Sequence, residues 1–110
     1  MSTTGENMSD YSEDINKYTS GVNDAAVAEI VKYCGIALQG ADSSLVASTD
    51  PSEIATVRDG FAAKKLGLSA EEADAGIAKV VEKMKDERNK HRVTFYYLLA
   101  EETGTLDKLA

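Results

Sequence analysis

Apolar residues recur along this chain at helical spacing. Between Ser9 and Tyr18 they fall at Tyr11, Ile15 and Tyr18, which share one face of a helix. Ser9 or Ser12 can cap its start, Glu13 and Asp14 suit its positive end, and Gly21 stands where a terminating glycine belongs. A second stripe, Val27, Ile30, Val31, Cys34 and Leu38, follows a cap at Asn23. It predicts a helix that runs through Gly35 to about Leu38 and ends at Gly40. In 41–49, Leu45 and Val46 are expected to tuck inward on a single turn.

Capping chemistry marks the next two starts. Asp50, Pro51, Ser52 and Glu53 read as an N-cap and the first turn after it. Proline at the first position loses no needed hydrogen bond, and Glu53 can return to the cap's backbone N–H. Ile54, Val57 and Phe61 form the predicted buried stripe, Gly67 its stop, and Leu68 a residue that folds back. Ser69 and Glu72 repeat the capping box, ahead of Ala73, Ile77, Val80, Val81 and Met84. A last helix is predicted from a cap at Asn89 through Val93, Tyr96, Tyr97, Leu99 and Ala100. Phe95 and Leu98 add apolar surface on its other sides. A helix apolar nearly all round is buried by neighbours or by a second subunit. Gly104 ends it, and Leu106 and Leu109 anchor one further turn.

The pattern therefore predicts an all-α protein: a single compact domain of about five helices over 9–110, behind a polar tail, 1–8, expected to be disordered. A chain of 110 residues hides roughly two-thirds of its unfolded surface on folding, enough for one core. A hydrophobic content of 43% excludes an intrinsically disordered chain. The first residues lack a basic stretch leading into an apolar core, so the expected location is cytoplasmic. The longest uncharged apolar run, Val93–Ala100, is too short to cross a bilayer, so no membrane contact is expected.

Charge changes the picture more than composition does. The net charge of −7 is uneven: residues 1–50 carry −6 and residues 51–110 carry −1. An acidic total argues against general nucleic-acid binding, because phosphate neutralisation needs a basic surface. From Lys79 to Arg92, however, six basic residues face three acidic ones. Lys83, Lys85, Arg88, Lys90, His91 and Arg92 crowd a predicted helix end and the turn after it. The helix macrodipole alone favours cations at such an end. The same residues also make a candidate contact patch for an acidic partner, including the acidic half of another copy.

Catalytic chemistry is thinly stocked. One histidine and one cysteine cannot make the usual zinc sets within one chain. An EF-hand register on Gly76 and Glu82 leaves Ala73 and Ala75 at ligand positions. No glycine-rich phosphate loop occurs. Cys34 lies on an apolar helix face, where thiols are usually inert, and His91 sits between Lys90 and Arg92 in the turn before the last helix, where an exposed loop histidine is expected. No catalytic residue, metal or cofactor is therefore expected. The leading expectation is a non-enzymatic interaction module or homo-oligomer. The alternative is a binder of RNA or a phosphorylated ligand through 79–92, helped by Tyr96 and Tyr97 if either ring is exposed. An enzyme using Cys34 or His91 is a third.

Three stretches add a resemblance. KYCGIAL, SLVASTDPSEIATVRDGFAAKKLGL and RVTFYYLLAE resemble a family of short bacterial proteins, domain-of-unknown-function family 2853. The resemblance implies a small cytoplasmic bacterial protein. It brings no site residue, cofactor or activity.

Overall fold

The computed structural model describes residues 8–34, 46, 50–86 and 90–109. Among them the chain is all helical, with no strand. Five α-helices follow one another: α1 (Met8–Ile15), α2 (Asp24–Cys34), α3 (Pro51–Thr56), α4 (Ala70–Lys83) and α5 (Arg92–Glu102). Between α3 and α4, Val57–Lys65 continues α3 as a π-helix, and Leu106–Lys108 closes the fold as a 3-10 turn. The Cα radius of gyration is 12.8 Å; one compact chain of this length takes about 13 Å.

α5 is the centre. Every residue from Arg92 to Ala100 is buried, Thr94 and Arg92 included. α1, α2, α4 and the π-helix all pack on it. The all-round apolar sequence of this helix is thus accounted for by neighbours in its own chain. Polar bonds fix the outer helices to it. Thr94 Oγ1 donates to the Asp14 carboxylate on α1. Thr19 Oγ1 donates to Glu101 Oε2 at 2.7 Å, and the Asn23 backbone N–H donates to Tyr97 Oη at 2.8 Å.

The capping signals form as read in two places. Asn23 Oδ1 accepts from the Ala26 N–H at 3.2 Å, and Ser69 and Glu72 complete a reciprocal box at 3.2 and 3.1 Å. Asp50 caps α3 by accepting from the Ser52 N–H at 3.0 Å, but Glu53 carries a different bond, to Arg92. At α5 the N-cap is His91, with no side-chain cap bond; Asn89, expected in that role, lies outside the described residues. So do Gly35, Leu38 and Leu45, while Val46 is buried as expected. Met8, expected in the tail, already belongs to α1.

The π-helix departs from the α-helix that the stripe predicts, and the sequence explains it. Phe61 is buried, and an α-helical step of three or four from it lands on Lys64 and Lys65. A step of five lands on Leu66, which is fully buried. The Leu66 N–H donates to the Phe61 carbonyl at 3.2 Å, the five-residue bond of this geometry. Val57 and Ala62, also five apart, are both buried. Widening the helix keeps two lysines out of the core. Gly67, at φ +69°, then reverses the chain so that the Leu68 N–H reaches the Ala62 carbonyl at 3.0 Å.

α4 and α5 meet closely at Gly76. A Cβ there would lie 2.6 Å from Thr103 Cγ2 and 2.8 Å from Leu99 Cδ1. Ala73, Ile77, Val80 and Met84 fill the rest of that contact as the stripe predicts, with Val81 half-buried beside them.

Candidate functional site

The most unusual group in the core is a charge. Arg92, the first residue of α5, is only 8% exposed. Its Nη2 donates to Glu53 Oε1 on α3 at 3.0 Å, and its Nη1 donates to Tyr96 Oη, one turn along α5, at 3.0 Å. The guanidinium also lies 5.8 Å from the centre of the Tyr96 ring. Burial opposes the arginine charge, but the bonds it donates to Glu53 and Tyr96 outweigh that and hold its pKa above the ordinary value. Burial raises the Tyr96 phenol, against the pull of Arg92.

Three aromatic rings continue this cluster outward. Tyr96 stacks on Phe61 of the π-helix at 4.1 Å and 17°. Phe61 meets Tyr33 of α2 edge-on at 5.3 Å, and Tyr33 lies 6.4 Å from Tyr96. Tyr33 is 41% exposed, the one large hydrophobic residue that is exposed among the described residues. The cluster thus joins the end of α2, the start of α3, the π-helix and the start of α5. Each end of the α3–π element is tied by charge: Glu53 to Arg92, and Lys65 to Glu29 of α2.

The residues expected to form a basic contact patch are spread over different surroundings. Lys83 lies 3.9 Å from Glu102 on α5, which Lys79 also approaches at 3.8 Å. Lys85 pairs with Glu82 at 2.9 Å. Arg92 is in the core. Lys90 is half-buried, and its carbonyl accepts from the Val46 N–H at 2.8 Å. His91 is exposed. Arg88 lies outside the described residues. Tyr96 and Tyr97 are both buried, so neither offers a face for base stacking.

Cys34, at the end of α2, is close enough to Arg92 to feel its charge, so the fold brings the cysteine to the same end of the bundle as His91. Burial nonetheless pushes its thiol up from 9.0 to about 11. Little thiolate exists at neutral pH. Iodoacetamide should therefore alkylate Cys34 roughly 100-fold more slowly in the folded chain than in urea. Equal rates would show that the thiol is not held this way. An acid with a raised folded pKa keeps its proton longer in the folded state. Its contribution to stability is intact below the unfolded value of 9.0 and is lost as pH rises through about 11.

Sequence reasoning missed Tyr33, Glu53 as an ion partner, and Phe61 as a stacking ring. One signal was present: Arg92 and Tyr96 stand four apart at the mouth of the most apolar run.

The comparison with protein families bears on the same elements. The family model described as "Protein of unknown function (DUF2853)" matches residues 10–107, from α1 into the closing 3-10 turn. The chain belongs to the DUF2853 family. The match includes every residue of the Arg92 cluster, so the cluster lies within the family's domain. The family description assigns no activity, and membership therefore fixes kinship, not chemistry. No curated protein matches the chain. No helix among the described residues is long and apolar enough to cross a membrane.

Proposed function

We propose that this DUF2853 protein is a non-enzymatic interaction module that meets an acidic protein surface at the end of the bundle where α5 begins. The supporting observation is the start of α5. Helices favour negative charge at their N-termini, where backbone N–H groups point outward unpaired. α3 follows that rule with Asp50 and Glu53, and α4 with Glu71 and Glu72. α5 starts instead with His91 and Arg92, has no acidic residue in its first turn, and follows Lys90. Glu53 answers Arg92 from inside. A carboxylate from outside would meet this end of the bundle at the exposed His91. A second copy of the chain is one source of such groups, since residues 1–50 carry −6.

The test uses the full chain and a glutamate-rich peptide, followed by fluorescence anisotropy. Binding should weaken as salt rises. Lys90→Glu with His91→Glu should abolish it without changing the fold. Absence of binding at low salt would sink this reading. A salt-dependent preference for an oligonucleotide over the peptide would transfer the same surface to phosphate recognition.

A further inference from the structure

We infer that the Glu53–Arg92 pair is an autoinhibitory contact: Glu53 holds Arg92 in place of the partner's carboxylate and gives it up when the partner binds. The inference rests on the acidic-partner reading above and adds how that surface is regulated.

The chain carries the same capping pattern twice, and the two copies behave differently. At α4, Ser69 Oγ accepts from the Glu72 N–H and the Glu72 carboxylate accepts from the Ser69 N–H, at 3.2 and 3.1 Å. At α3, Asp50 plays the part of Ser69, accepting from the Ser52 N–H at 3.0 Å, and Glu53 stands at the position of Glu72. Its carboxylate has left the capping role and accepts from Arg92 Nη2 at 3.0 Å. Glu53 therefore has two alternative partners. One is the Asp50 backbone N–H at the start of its own helix, and the other is Arg92, 39 residues along the chain.

The two members of the pair are not equally free to leave. The Arg92 side chain is 9% exposed and that of Glu53 21%. A buried guanidinium without a carboxylate is strongly disfavoured, whereas Glu53 has its cap to return to. None of the six residues of α3 is buried, so turning Glu53 disturbs no packing. The contact therefore holds until a second carboxylate is supplied. The place to supply one is adjacent, since Arg92 is the first residue of α5 and directly follows the exposed His91. Tyr96 Oη accepts from Nη1 in either state and keeps the guanidinium oriented. The exchange trades one ion pair for another and gains a capping bond. While Glu53 holds Arg92, the partner's apparent affinity is its intrinsic affinity reduced by the fraction of molecules in which Glu53 has turned away.

The experiment measures binding of the glutamate-rich peptide to the full chain at low salt, wild type against Glu53→Gln. Glutamine keeps the shape of the side chain and removes the competing charge. The variant should bind roughly tenfold more tightly, the gain expected when a closed state that holds about nine molecules in ten is removed. Glu71→Gln, which removes the same charge from an exposed position on α4, should change affinity by less than about twofold. Arg92→Gln in the Glu53→Gln background should erase the gain. In the wild type, the peptide should slow hydrogen exchange of the Asp50 amide as Glu53 returns to its cap. Circular dichroism of each variant checks that the fold is intact. Unchanged or weaker binding by folded Glu53→Gln, an equal gain in Glu71→Gln, a gain that survives Arg92→Gln, or an unaltered Asp50 amide overturns the autoinhibitory contact and leaves the acidic-partner reading standing. Failure of both the wild type and Glu53→Gln to bind at low salt overturns both.

Discussion

Replacing Glu53 with alanine should lower the unfolding free energy by roughly 3 kcal/mol, the cost of stranding a buried charge. The Arg92 side chain is 9% exposed and that of Glu53 21%, so water cannot fully take over the missing contact. Tyr96 would remain as a donor's partner but brings no negative charge. Urea denaturation should show a lower midpoint at unchanged slope, the mark of a stability change without a change in compactness. Glu53→Leu combined with Arg92→Met should regain most of the loss, because removing both charges also removes their desolvation cost. Salt should change the wild-type value little, since the pair is shielded from mobile ions. A Glu53→Ala protein as stable as the wild type would mean that Arg92 reaches solvent, and the account of α5 as an enclosed helix would fail with it.

Phe61→Ala should cost roughly 4 kcal/mol, as truncation of a fully enclosed aromatic ring does. Phe61 is 1% exposed and holds two other rings in place, Tyr96 by stacking and Tyr33 edge-on. Its loss opens a cavity between the π-helix and α5 that the surrounding backbone cannot collapse to fill. Tyr33→Ala, by contrast, should cost no more than about 1 kcal/mol, because the ring is half in water and contributes mainly its contact with Phe61. The contrast is the informative quantity. Similar losses for the two would place Tyr33 in the core, against its exposure.

How far the sequence could be read depends on the range of each signal. The starts of α3 and α4 are legible because Asp50–Ser52 and Ser69–Glu72 act within one turn of chain. The end at Gly67 is equally local, and α5 is legible because its apolar run is long. The π-helix was not read, since an α-helical stripe of Ile54, Val57 and Phe61 fits the first half of the segment. Only the two lysines before Leu66 betray the change of step. Arg92 was placed on the surface because Lys90 and His91 precede it. Its partner Glu53 is 39 residues away and was read as serving its own helix cap. A charge at the end of a basic run looks solvated until the fold supplies the half-buried Glu53 carboxylate. The fold class was therefore readable from periodicity, while the cluster at the start of α5 needed tertiary contacts that no spacing encodes. Tyr33 illustrates the same limit: it sits one position off the apolar stripe of α2, where an outward-facing residue is expected, and nothing local marks its contact with Phe61.

The most direct measurement is a two-dimensional 15N–1H NMR titration of the full chain with the glutamate-rich peptide at low salt. The account predicts shifts centred on Lys90 and His91 at the start of α5, which recede as salt is added. Shifts centred instead on the groove of Leu68, Gly76, Lys79 and Glu102 between α4 and the end of α5 would contradict it, as would a spectrum that does not change.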